Sequence, residues 1–176
     1  MDKLLVTAND INQYRPIAKE IVQDRIEVFI QEAQRHDLMP VLGNALFYDF
    51  ITKYDQTGDP MYANYQALYN GSTWNYGGAT KQHYGLKPIV AYYSLARMIA
   101  NQQLNVTRYG VTTKVNPNSE PASDAAIRNL ITELKSIAIS YQDTTIQFLR
   151  DNAVTYPLFN QAIERPNHLS FRVFDI

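Results

Sequence analysis

Gly85-Leu-Lys-Pro-Ile-Val-Ala-Tyr-Tyr-Ser-Leu-Ala-Arg-Met-Ile-Ala100 is the stretch from which the fold is read. From Ile89 to Ala100 almost every position is apolar or aromatic. A helix with no polar face has to be surrounded by other elements. The stretch is therefore expected to be a buried central helix, spanning about 86–104. Pro88 suits its first turn, where an N–H has no helical acceptor and φ near −65° is already helical. After Asn101-Gln-Gln103 the pattern changes: Asn105 to Val115 is rich in β-branched residues and reads as a strand-like arm, with a polar, proline-interrupted connector over Asn116–Ala122.

Upstream, Thr7-Ala-Asn-Asp10 offers helix-capping side chains, and Pro16 stops that element early. Ile26, Phe29, Ile30 and Ala33 recur at helical spacing and predict an amphipathic helix from Asp24 that ends near His36-Asp37. Pro40 is expected to start the next helix, with Leu42, Ala45, Leu46 and Phe50 on one face and Gly43 within it. Gln56–Pro60 reads as a turn and Met61–Tyr69 as a short helix with Tyr62, Tyr65 and Tyr69 on one side. Turn signals at Asn70-Gly71 and Gly77-Gly78 frame a hairpin that carries the only tryptophan, Trp74.

Ser123-Asp124 caps the longest amphipathic pattern, in which Ile127, Leu130, Ile131, Leu134, Ala138, Tyr141 and Phe148 repeat at helical spacing. It predicts a long C-terminal helix over about 123–151, with Thr144-Thr145 as its weak point. Leu169, Phe171 and Val173 alternate with polar residues, as a half-buried strand does. The expected protein is mainly α: a helical domain over 1–157, carrying a hairpin (70–84) and an arm (105–122), followed by an extended tail over 158–176.

Composition narrows the function classes. The chain has 176 residues, 45% hydrophobic and 19% charged, which fits one folded domain rather than a disordered chain. A net charge of −1 gives no basic footprint for clamping nucleic acid. Cysteine is absent, which removes disulfides, thiolate nucleophiles and Cys metal sites. Neither a signal peptide nor a run of membrane-spanning length stands out. Thirteen tyrosines point to half-buried surfaces and subunit interfaces.

No motif for chemistry emerges. His36, His83 and His168 each lack a second ligand at helical spacing, so no metal or other cofactor is expected. Gly77-Gly-Ala-Thr-Lys81 has the wrong order for a phosphate loop and reads as a turn. Asp24, Glu27 and Glu32 read as a solvated helix face. Ser72 and Ser94 lack a nearby histidine, and no nucleophile elbow exists, so an enzyme is not the expectation. Arg108, Tyr109 and Lys114 form a small basic and aromatic group on the arm.

The combination Ala33…Leu38…Leu42-Gly43…Phe47-Tyr48, Gly85 to Arg97, Thr107-Arg-Tyr-Gly-Val-Thr-Thr-Lys114 and Glu120-Pro-Ala-Ser123 resembles neck proteins of tailed bacteriophages. It is similar in particular to the small helical head-to-tail connector (adaptor) proteins of phages infecting Bacteroidota, crAss-like phages included. The resemblance covers roughly residues 7 to 152. It implies a virion subunit, assembled in the host cytoplasm, that forms a homo-oligomeric and usually dodecameric ring beneath the portal. Such a ring would meet the portal and other neck and tail proteins and pass DNA non-specifically through its channel, with no membrane involved. The residues expected to face a partner are Trp74 and Tyr76 on the hairpin, Arg108, Tyr109, Val111 and Lys114 on the arm, and Phe171, Val173 and Phe174 in the tail. The alternative is a free-standing helical protein-binding module without enzymatic activity.

Overall fold

The computed structural model describes residues 3–16, 23–102, 104–107, 110–113 and 123–159. The expected connector (116–122) lies outside them, as do Arg108, Tyr109, Lys114, His168, Phe171, Val173 and Phe174; of the expected tail (158–176), only residues 158–159 are described. The protein is mainly helical. In chain order it comprises α1 (Ala8–Tyr14), α2 (Gln23–Ala33), a π-helical turn (Gln34–Leu38), α3 (Met39–Leu42), α4 (Asn44–Lys53) and α5 (Tyr62–Asn70). Then follow β1 (Ser72–Tyr76), β2 (Ala79–His83), α6 (Leu86–Gln102), β3 (Leu104–Thr107), β4 (Gly110–Thr113) and α7 (Asp124–Asp151).

α6 is the central helix. It packs against α1, α2, α5, α7 and the π turn. Leu86, Ile89, Val90, Ala91, Leu95 and Ala96 are buried along it. Each large apolar side chain so buried contributes about 1.5–3 kcal/mol before entropy is counted. The helix ends at Gln102 rather than near residue 104, because Leu104 already begins β3. Gly85 sets the angle at which the chain enters it. At φ 82°, a Cβ there would collide with the Tyr69 carbonyl oxygen and sit 2.6 Å from the Gly71 amide nitrogen. Only glycine fits so close an approach of two backbones.

At the N-terminus the capping box forms as its residues dictate. Thr7 Oγ1 accepts from the Asp10 amide, and the Asp10 carboxylate accepts from the Thr7 amide at 2.8 Å. Arg15 is extended before Pro16, as the ring of a following proline requires.

Two expectations about the next helices are corrected. The helix from Gln23 does not stop at His36-Asp37; it widens into the π turn and continues to Leu42. That turn brings the Gln34 side chain into the interior, where its carbonyl oxygen accepts from the Leu5 amide at 2.7 Å and its amide donates to the Lys3 carbonyl at 3.0 Å. Gly43, at φ 77° and ψ 151°, is the real break between α3 and α4, so no single helix carries Leu42 through Phe50. Ala45 is exposed and Phe47 takes its place in the core.

α7 runs unbroken for 28 residues, about 42 Å at helical rise. The helix does not break at Thr144-Thr145, the expected weak point: both donate a hydroxyl hydrogen bond to the Tyr141 carbonyl, and Thr145 is buried. α6 and α7 run antiparallel, with Tyr93 donating to Gln142 at 3.1 Å while Arg97 and Asn101 lie opposite Lys135. Past the end of α7 the chain folds back, burying Tyr156 and Phe159, and the Tyr156 hydroxyl donates to the Asn64 carbonyl at 2.7 Å. The arm, read from sequence as one strand, contains an antiparallel hairpin in which Val106 pairs with Val111.

Candidate interaction surface

The hairpin of β1 and β2 is fastened to the end of α7 by one carboxylate. Asp151, whose side chain is only 3% exposed, receives the Lys81 ammonium at 2.8 Å, the Trp74 indole N–H at 2.9 Å and the Gln147 amide at 2.7 Å. A negative charge at a helix C-terminus is unfavourable, and burial adds to its cost. Burial alone would raise its pKa, but the hydrogen bonds from Lys81, Trp74 and Gln147 together hold the carboxyl below the usual range. Trp74 is thereby drawn inward and meets Phe148 edge to face at 5.2 Å. Tyr76, at the hairpin tip beneath the Lys81 ammonium, stays 53% exposed.

His83 sits behind this latch and corrects the reading of Ser72 as a serine without a histidine. Ser72 Oγ lies 3.0 Å from His83 Nε2. The pair is nevertheless not poised as nucleophile and base. The Gly85 amide donates to Nδ1 at 3.2 Å, so Nδ1 carries the lone pair and the ring proton sits on Nε2, pointing at Ser72. A general base would need the lone pair on that nitrogen. Burial pushes the imidazole pKa down to about 4, keeping it neutral. Ser94 is engaged elsewhere, donating to the Val90 carbonyl at 2.6 Å.

A row of tyrosines crosses the outer surface beside this hairpin. Tyr84 meets Tyr141 edge to face at 5.4 Å, Tyr141 stacks on Tyr92 at 5.9 Å, and Tyr92 meets Tyr14 at 6.2 Å. Tyr84 is 53% exposed, and the other three are half-buried. Rings held against one another present apolar area at little further entropic cost, the quality that makes tyrosine common in protein interfaces.

At the other end of α6, Arg97 pairs with Asp37 through two hydrogen bonds of 2.7 and 3.0 Å and lies 3.5 Å from Glu32. Glu32 is thus part of an ion-pair group and not only a solvated carboxylate. Asp37, Tyr93, Arg97, Asn101 and Lys135 line a cleft of about 200 Å³. Beside it, burial pushes the Tyr93 hydroxyl up to about 12. His36 is exposed on the π turn. Among the described residues no group of three or more His, Cys, Asp or Glu side chains could hold a metal ion. None of their helices is long and apolar enough to cross a membrane.

Of the residues expected at a partner surface, Trp74 and Tyr76 share the hairpin, and Val111 lies on β4 opposite Val106. Asp151, Lys81, His83 and the tyrosine row escape a reading by spacing, because they meet across separate elements. The available signals were the Lys81 position directly opposite Trp74 in the hairpin and the tyrosine excess.

Fold and surface together define a helical protein with two β-hairpins and an aromatic exterior. The chain belongs to a family of unknown function, DUF6712, which it matches over residues 38–167. No curated protein and no solved structure matches it.

Proposed function

We propose that this protein is a structural subunit of a phage neck ring, joining the portal and capsid to the tail and extending the DNA channel. One observation supports the reading most: a helical body carries two separate two-stranded hairpins, whose outer edges are unpaired among the described residues. Unpaired edges are sites for strand addition by another chain. In a head-to-tail ring every copy presents one such surface to the complementary surface of the next, so the contact repeats and closes. The sequence resemblance to phage connectors points the same way, and a near-neutral charge suits a channel wall that must let DNA slide.

The half-exposed row from Tyr84 to Tyr14 favours a second reading, a free-standing helical module that holds a protein partner. Light scattering on the chain mixed with purified portal and neck components separates the two. The ring reading expects a large cyclic particle. A species that stays monomeric or dimeric in the mixture would favour the module.

A further inference from the structure

We propose that the outer edge of β1 is the docking site for residues 169–174 of a second copy of this chain, which adds there as a third strand. The assignment to a second copy rests on the ring reading.

The hairpin's geometry fixes which backbone groups are free. Gly77 and Gly78, at φ 60° and 80°, form a two-residue loop, so Tyr76 and Ala79 exchange both of their hydrogen bonds. Alternation makes Trp74 with Lys81 and Ser72 with His83 the next bonded pairs. The N–H and C=O groups of Thr73 and Asn75 therefore point away from β2, and both residues are exposed. Natural sheets guard such an edge with charge, proline or a bulge. β1 reads Ser-Thr-Trp-Asn-Tyr, without a charge or proline, and its register is continuous over five pairs. β2, by contrast, is the strand that lies against α7 and carries Lys81.

The occupant follows from the remaining chain. Leu169-Ser-Phe-Arg-Val-Phe174 alternates apolar and polar positions through Val173 and contains no proline. Beside β1, Leu169, Phe171 and Val173 would extend the half-buried Trp74 face, while Ser170 and Arg172 would lie with Thr73 and Asn75. Phe159 is packed in the body. The residues between it and Leu169 give the segment a reach of at most about 30 Å.

The test uses full-length chains, which contain no native cysteine. Asn75→Cys chains are mixed with size-tagged Arg172→Cys chains, oxidised, and read for mixed disulfide dimer. In a control, Thr80→Cys replaces Asn75→Cys and places the thiol one strand further away, beyond disulfide reach. The mixed dimer is expected to form about tenfold faster with Asn75→Cys than with Thr80→Cys. Adding Thr73→Pro to the Asn75→Cys chains should remove the link. That proline takes away only an outward N–H and spares the ladder to β2. Equal rates with the Thr80→Cys control, or a link indifferent to Thr73→Pro, would overturn the proposal. So would a chain bearing both Asn75→Cys and Arg172→Cys that closes only an internal disulfide. Light scattering on the same samples keeps the two ideas apart: large particles without the link sink the docking site alone, and small particles sink the ring reading.

Discussion

His83 stacks on Phe148 with ring centroids 4.0 Å apart and planes 22° from parallel, and this contact seals the hairpin of β1 and β2 against α7. The imidazole is 1% exposed, and burial lowers its pKa from 6.5 to about 4. The unfolded chain takes up a proton near pH 6.5, while the folded chain resists until about pH 4. Stability should therefore be intact above pH 6.5 and fall progressively as the pH drops to 4, by on the order of 3 kcal/mol. Thermal unfolding of wild type and His83→Phe across this range measures the effect. The variant should lose the dependence in that window, and parallel curves would show that His83 is not its source.

Gly85 is the second pressure point, because its backbone passes directly against that of Tyr69 and Gly71. Gly85→Ala combines a positive φ with a collision that no side-chain rotation relieves. It should cost more than about 2 kcal/mol in urea unfolding. A change within a few tenths of a kcal/mol would mean that the entry to α6 is free to move.

Gln34 ties the N-terminal stretch to the π turn through both ends of its amide. Gln34→Leu leaves the Leu5 N–H and the Lys3 carbonyl without those partners, at a cost of about 1–3 kcal/mol. Amide hydrogen exchange should quicken at Leu5 ahead of α6. Unchanged protection at Leu5 would contradict the role given to this side chain.

How much of this was legible beforehand follows from how local each signal is. The Thr7 cap, the Ser123 cap, the Gly77-Gly78 turn and the apolar run of α6 act within a few residues, and all four are found where the sequence places them. The π turn was not legible. Its cause is tertiary: Gln34 reaches Lys3 and Leu5, and Asp37 reaches Arg97 sixty positions away. Gly43, expected within one helix face, instead uses the positive φ that glycine tolerates to separate α3 from α4. The arm's second strand was missed because the β-branched residues on both sides of Gly110 read as one continuous strand. The Asp151 latch joins two elements seventy residues apart and leaves no periodic trace.

Val111 lies on β4 opposite Val106, on the arm that follows α6. Val111→Asp should weaken association with neighbouring copies while helical circular dichroism stays at the wild-type level. Loss of helix in this variant would place the arm in the subunit's own core and remove a local support for the ring.

The ring itself is tested most directly by electron microscopy of the full chain together with portal and neck components. The account predicts closed particles with a central channel, built from repeated copies of this chain. Monomers or dimers, with no closed ring under conditions in which the other components assemble, would contradict it.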